Sequence, residues 1–273
     1  MVGMVMAGVT AFGAIDVAFS NIVGVVRVMS TNHYTLVSVP FGAVGMNLEN
    51  ASITLEKLVQ MVNLGRNDRM ELYSEAGDMM NAWQINRKGV WAPINGSYID
   101  ETGKRIDITL DPADVQRVDR GWALRIYRNT PTDADGYALP IYLIGQYDQL
   151  HGERKLRKGN WITPRKSLVS FPGIRPFDLS TIQEGVYVGN TEAYSDEISL
   201  ITDGAPIAYL PHLDVDGKTI IWGHYVETVK WVKDKRGNLV EKKTRTWQED
   251  DTIVPLGMGF WYISRGGEPV VKW

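Results

Sequence analysis

Apolar positions along this chain come in short alternating runs, with little sign of helical stripes. Val, Ile, Tyr, Trp and Thr crowd into "NIVGVVRVM", "YTLVSVPF", "RMELYS", "GWALRIYR" and "LPIYLIGQY". They do so again in "SLVSFP", "EISLIT", "TIIWGHYVETVKWV", "TRTW", "GMGFWYIS" and "PVVKW". Gly, Asn, Asp or Pro turns separate the runs, which predicts an all-β sandwich or barrel. Helix is expected mainly in "SITLEKLVQMVNLG", where Ile53, Leu55, Leu58, Val59 and Val62 fall near one face and Gly65 can stop it. "DPADVQRV" would add one turn, with Asp111 as cap and Pro112 early in it.

Turn chemistry sharpens the β reading. "DADG" from Asp133 and "DVDG" from Asp214 predict hairpin turns, because Asp and Gly tolerate positive φ. A calcium site needs about six to eight oxygens in a fixed arrangement, which neither stretch supplies. "VKWVKDKRGNLVEKKTRTW" predicts a long hairpin turning at "DKRGN", its Lys and Arg shielding an exposed edge.

The pattern also repeats. "LVSVP" (36–40) recurs as "LVSFP" (168–172), and each copy is followed by an acidic strand-and-turn stretch, "LYSEAGD" from Leu72 and "LITDGA" from Leu200. Aromatic segments follow (Trp83 and Trp91; Tyr209 and Trp222), then a glycine opening an aromatic strand, "GWALRIYR" from Gly121 and "GFWYISR" from Gly259. Leu36 to Gly121 spans 85 positions and Leu168 to Gly259 spans 91. Four features in one order at matched spacing predict two related β-sandwich-like modules with one short helix. The modules are placed at 21–147 and 164–273, with a basic linker at 148–163 and an extended apolar N-terminal arm or signal remnant at 1–20.

The succession of "NIVGVVRV", "YTLVSVPF", a short helix, "GWALRIYR" and "LPIYLIGQY" resembles a loose group of uncharacterised secreted or surface β-rich repeat proteins of Verrucomicrobia- and Lentisphaerae-type bacteria. The resemblance covers 21–147; the second half matches at "LVSFP" and "TIVPLGMGFWYIS" and lacks the "IYLIGQY" ending. It implies export and an extracellular structural setting, and it carries over no reaction and no catalytic residue.

Composition narrows the functional classes. A chain of 273 residues, 44% apolar and 22% charged, can fold around a sizeable core as one large or two modest domains. A net charge of −3 gives no global pull toward nucleic acid or an anionic membrane. Zero cysteines exclude disulfides, thiolate metal sites and Cys nucleophiles.

The opening "MVGMVMAGVTAFGAIDVAFSN" carries no charge before Asp16 and resembles the apolar part of a secretory signal, without its basic leading region. It falls short of the roughly 18 apolar residues of a membrane span, so none is expected. Either it is a signal remnant, or it is an arm that inserts into a neighbouring copy through Val2, Met4, Met6, Val9 and Phe12. Each buried anchor would contribute roughly 1.5–3 kcal/mol before entropy costs. Both readings place the protein outside the cytoplasm, extracellular or on the cell surface.

Candidate chemistry is thin. The Gly-x-Ser-x-Gly motif is absent, and His33, His151, His212 and His224 lack the paired spacing of a zinc set, although His212 and His224 flank one hairpin. With 32 acidic residues, a glycosidase-like carboxylate pair cannot be singled out. No catalytic residue, metal or cofactor is therefore expected. The basic stretch "HGERKLRKGNWITPRK", with Arg154 and Arg157, reads as a solvated linker or a surface for an acidic patch on a neighbouring copy. Trp161 alone is thin support for nucleic-acid binding.

Aromatic strands leave one question open. Phe260 and Tyr262 share one strand face and Trp261 takes the other, while Trp122 opposes Ala123, so such rings serve as core, subunit interface or ligand platform. The expected function is a non-catalytic structural subunit that assembles with copies of itself into an extracellular filament, tube or surface lattice. Its interface candidates are Val2, Met4, Met6, Val9, Phe12, Trp122, Arg154, Arg157, Trp261 and Trp273. The alternative is a secreted carbohydrate-binding module with a surface glycan as ligand.

Overall fold

Alternation resolves into strands throughout the computed structural model. It describes residues 23–30, 33–39, 53–55, 59–74, 77, 79–94, 96–99, 105–108, 117–118, 121–146, 153–171, 175–202, 205–250 and 252–272. The first half holds β1 (Val23–Ser30), β2 (Tyr34–Ser38), β3 (Ile53–Thr54), β4 (Val59–Met61), β5 (Arg69–Tyr73) and β6 (Met79–Ile85). These are followed by β7 (Trp91–Pro93), β8 (Gly96–Ile99), β9 (Arg105–Ile108), β10 (Arg117–Val118), β11 (Ala123–Tyr127) and β12 (Leu139–Gln146). The second half holds β13 (Glu153–Lys155), β14 (Arg165–Val169), β15 (Phe177–Asp178), β16 (Glu197–Thr202) and β17 (Ala205–Leu213). It ends with β18 (Ile220–Lys233), β19 (Leu239–Glu249), β20 (Ile253–Val254), β21 (Phe260–Ser264) and β22 (Val270–Lys272).

Two large antiparallel sheets dominate, in the orders β2-β11-β5-β6-β7 and β14-β21-β16-β17-β18-β19. A three-stranded sheet β1-β12-β4 and the pairs β3–β10, β8–β9, β13–β22 and β15–β20 complete the set. The protein is thus mostly β.

Side chains of period two sort themselves into separate cores. Val26 and Val28 of β1 turn inward while Val25 and Met29 remain exposed. They meet Ile141 and Leu143 of β12 and Val37, Met70, Leu72, Trp83, Leu124 and Ile126 of the five-stranded sheet. A second core gathers Val169, Phe177, Ile198, Leu200, Tyr209, Trp222, Phe260, Tyr262 and Val271.

Between them lies a seam formed by the opposite faces of both large sheets, where Leu36, Tyr73 and Ala123 pack with Leu168 and Trp261. Coverage on both faces buries most of β2 and β21 and the Ser167–Val169 end of β14.

The two "LVS" stretches touch one another at this seam. Ser38 Oγ and Ser170 Oγ lie 2.7 Å apart, and the Val39 amide donates to Ser170 Oγ at 3.1 Å. The Ser38 amide donates to the Gly257 carbonyl at 2.8 Å, and the Gly259 amide donates to the Leu36 carbonyl at 3.0 Å. Gly77 is packed into the same seam: a Cβ there would come within 2.4 Å of Ser167 Cβ, and its φ is +79°. Both the left-handed backbone and the collision penalise a side chain, so Gly77→Ala is expected to cost about 2 kcal/mol in urea denaturation.

One expected helix is corrected. The stretch expected to be helical carries β3, and then β4 with Val59 buried and Gln60 exposed, hydrogen-bonded to β12. A strand partner overrides the helical spacing of its leucines and valines. Among the described residues, helical backbone is limited to Leu55 and the short 3-10 turns Leu179–Thr181 and Glu192–Tyr194. The expected turn at "DPADVQRV" lies largely outside the described residues and ends in β10.

Part of the basic stretch is not solvated either. β13 pairs with β22 and alternates Glu153 out, Arg154 in, Lys155 out. No helix among the described residues is long and apolar enough to cross a membrane.

Candidate assembly surface

Aromatic rings named from the sequence divide according to strand parity. Phe260 and Tyr262 enter the second core, Phe260 parallel to Phe177 at 6.0 Å. Trp261, one residue between them, faces the seam at 7% exposure, edge-on to Tyr73 at 5.3 Å, with Lys166 Nζ 4.4 Å from its ring centre. Burial, reinforced by the nearby Arg125 charge, lowers the Lys166 pKa from its ordinary value. Trp261 is therefore covered by its own chain.

Trp122 is half-buried and packs against the first core. Arg154, 4% exposed, donates from Nη2 to the Gly121 carbonyl at 2.6 Å, beside Trp122. Arg157 is exposed. Val2, Met4, Met6, Val9, Phe12 and Trp273 lie outside the described residues.

A buried carboxylate closes one end of the seam. Glu71 is ion-paired with Arg125 (Nε at 2.7 Å) and Arg69 (Nη2 at 2.9 Å), and it accepts hydrogen bonds from Arg125 Nη2 at 2.9 Å and from the Tyr73 hydroxyl at 3.0 Å. Burial first, and then the Glu71 charge, push the Tyr73 phenol up to about 12. Because the folded pKa lies above the ordinary value near 10, this group's contribution to stability is full below about pH 10 and is lost as pH rises toward 12. Titration of tyrosinate absorbance should show Tyr73 ionising in that window; ionisation with the exposed tyrosines would contradict the buried placement.

Beyond the second core the sheet continues as a ribbon with no further strand partner among the described residues. β17 pairs with β18 from Ile220 to Gly223. Thereafter β18 pairs with β19, in register from His224↔Gln248 to Lys233↔Leu239. Those ten pairs reach about 30 Å. Every residue from Glu227 to Lys233 and from Lys235 to Thr246 is exposed.

The tip turns as the sequence predicts. Asp234 Oδ1 accepts the Arg236 and Asn238 amides, which holds its carboxyl below the usual range, and Gly237 takes φ +82°. Along one face run Tyr225, Val229, Trp231 and Leu239; Trp231 is 65% exposed and Leu239 64%.

At the ribbon's base is an open cleft of about 580 Å³, lined by Leu210, Tyr225, Glu192, Glu197, Arg245 and Arg265 among others. Arg245 lies 4.7 Å above the Tyr225 ring and pairs with Glu192 at 3.2 Å; Arg265 pairs with Glu197 at 2.7 Å. His212 stacks on Trp247 at 4.3 Å, and burial lowers its pKa from the ordinary value. Gly223 makes room for this arrangement, since a Cβ there would meet the Trp247 ring at 2.5 Å.

The structure thus leaves His212 and His224 on opposite faces of the sheet, since His212 lies across from Ile221. Among the described residues, no three of His, Cys, Asp and Glu gather as metal ligands.

Sequence reasoning found the hairpin but not Tyr225, Arg245 and Trp247 as neighbours. The usable signal was register: counting back from "DKRGN" places Tyr225 opposite Trp247. No protein-family model, curated protein or solved structure matches this chain.

Proposed function

We propose that this protein is an exported, non-catalytic structural subunit that associates with copies of itself into a filament, tube or surface lattice. The observation that carries the reading is the β18–β19 ribbon. It exposes Trp231, Leu239, Val229 and Val240 to water and, among the described residues, pairs only with itself from His224 to Lys233. An isolated two-stranded ribbon is marginally stable in water, and open strand edges invite pairing, so a docked partner gives this feature its stability. The covered seam directs assembly away from Trp261 and toward the ribbon, alongside the N-terminal arm proposed from the sequence.

We further read the scaffold as two copies of one β-sandwich-like module. Several correspondences support this. The strand orders match, first strand beside last, then second, third and fourth. Leu36 lies across from Arg125 and then Glu71, just as Leu168 lies across from Trp261 and then Ser199. β13–β22 takes the place of β1–β12, so the short "PVVKW" stands where the first half has "IYLIGQY".

Asp68 accepts the Asn129 amide at 2.8 Å, and Asp196 accepts the Arg265 amide at 2.6 Å. These pairings set Gly121 against Gly257, two positions from the glycine that sequence comparison had matched, and both have positive φ.

Negative-stain electron microscopy and sedimentation of the full chain over a range of concentrations test the assembly reading. Ordered polymers are expected. Particles of monomer mass at every concentration would overturn it. In the second reading, carbohydrate binding, the cleft beside Tyr225 and Trp247 would quench tryptophan fluorescence on adding glycans to such monomers.

A further inference from the structure

We propose that the β18–β19 ribbon docks on an acidic surface of a second copy of this chain, outside that copy's own ribbon. This inference rests on the self-assembly reading and assigns its contact surface.

Charge separation is the first ground. Residues 224–248 contain seven Lys or Arg against three Asp or Glu, a net +4 in a chain of net −3, so the remainder carries −7. The ribbon's two faces divide that charge. On one face Lys243 is held by Glu227 at 3.0 Å and Glu241 at 3.7 Å, and Arg245 by Glu192, which leaves the apolar track of Val229, Trp231 and Leu239 between neutralised pairs.

On the other face Lys230 lies directly across from Lys242. Like charges directly opposite in a ladder are destabilising, and an incoming carboxylate removes the penalty. Among the described residues, no ion pair involves Lys230, Lys233, Lys235, Arg236 or Lys242.

These features select the geometry of contact. Basic ribbons repel one another, so ribbon-to-ribbon pairing is disfavoured. A cleft in an acidic body would grip both faces, its carboxylates meeting Lys230 and Lys242 on one and its apolar wall meeting the Trp231 track, with Lys233 at its end, on the other. Ribbon-to-body contact is heterologous, and a heterologous contact propagates as a filament or closes as a ring.

The test uses the full chain with the charge-reversed variant Lys230→Glu/Lys242→Glu and, separately, Trp231→Ser. All these side chains are exposed, so circular dichroism and thermal unfolding should match the wild type. Sedimentation is followed at about 50 mM and 500 mM NaCl, since screening weakens a charge-driven contact.

The expected result is wild-type assembly at low salt, its loss at high salt, and a rise of at least about tenfold in the concentration for half-assembly in each variant. A folded variant that assembles like the wild type would overturn the ribbon contact while leaving self-assembly standing. A wild-type chain that stays monomeric at both salts would overturn the two together, and if it then co-sediments with vesicles containing phosphatidylserine, the ribbon serves a membrane surface instead.

Discussion

Trp261→Ala is expected to destabilise the chain by about 3–5 kcal/mol, read as a lower urea midpoint with an unchanged slope. The size follows from its surroundings. Trp261 is 7% exposed, contacts Tyr73 edge-on and packs with Leu36, Ala123 and Leu168 from both large sheets. Removing the ring opens a cavity where two sheets meet, and neither sheet can relax into it without breaking the hydrogen bonds from Ser38 to Gly257 and from Gly259 to Leu36. Trp261→Phe, which keeps an aromatic ring against Tyr73, should recover much of the loss. A Trp261→Ala protein of wild-type stability that fails only to assemble would instead place the ring on a subunit interface.

Asp196→Ala should have an effect of similar size for a different reason. This fully buried carboxylate accepts the Tyr187 amide at 3.0 Å, the Arg265 amide at 2.6 Å, the Gly266 amide at 3.2 Å and the Tyr262 hydroxyl at 2.9 Å. Burial and the Asp196 charge hold the Tyr262 phenol well above its ordinary value, so it remains a donor. Deleting the acceptor strands several donors at once, at roughly 1–3 kcal/mol each before relaxation, and a net loss of about 3–5 kcal/mol is expected.

Amide exchange should locate the damage, with Tyr187 and Arg265 losing protection before the sheet centre. Asp196→Asn, which retains one oxygen acceptor, should fall between wild type and Ala. Unchanged exchange at both amides would show that other groups satisfy these donors. Asp68, which the proposed two-module reading pairs with Asp196, sits in a different setting: it lies 3.6 Å from the fully buried Arg128, whose Nη2 donates to the Val62 and Asn63 carbonyls.

Strand content was legible because alternation leaves a local trace, and the turns at Asp133, Asp214 and Asp234 were legible because Asp-rich, Gly-containing turns need particular residues. Ser38 and Ser170 illustrate a limit. Their motif was visibly recurrent, yet recurrence in sequence does not say that the copies touch. Parity correctly separated Trp261 from Phe260 and Tyr262, but what covers each face is a long-range fact.

Val59 shows the reverse failure, since its spacing with Leu55 and Val62 suits a helix and its pairing with Leu143 of β12 makes it a strand residue. Asp68 and Asp196 escaped notice because a buried carboxylate in "NDRMEL" or "SDEISL" looks like any polar strand opening. The ribbon's hairpin was readable from "DKRGN"; its isolation was not, because it depends on where β17 stops pairing.

An intramolecular seam that leaves the ribbon to meet other copies is the centre of this account, and Ser38→Cys/Ser170→Cys tests the seam most directly. The natural chain has no cysteine, so only the introduced pair can react. Oxidation of dilute native protein, with the products separated under non-reducing denaturing conditions, should give one intrachain disulfide at monomer mass, with bond formation slowed in urea. Thiols that remain free in the native protein, or that join only between chains, would contradict it.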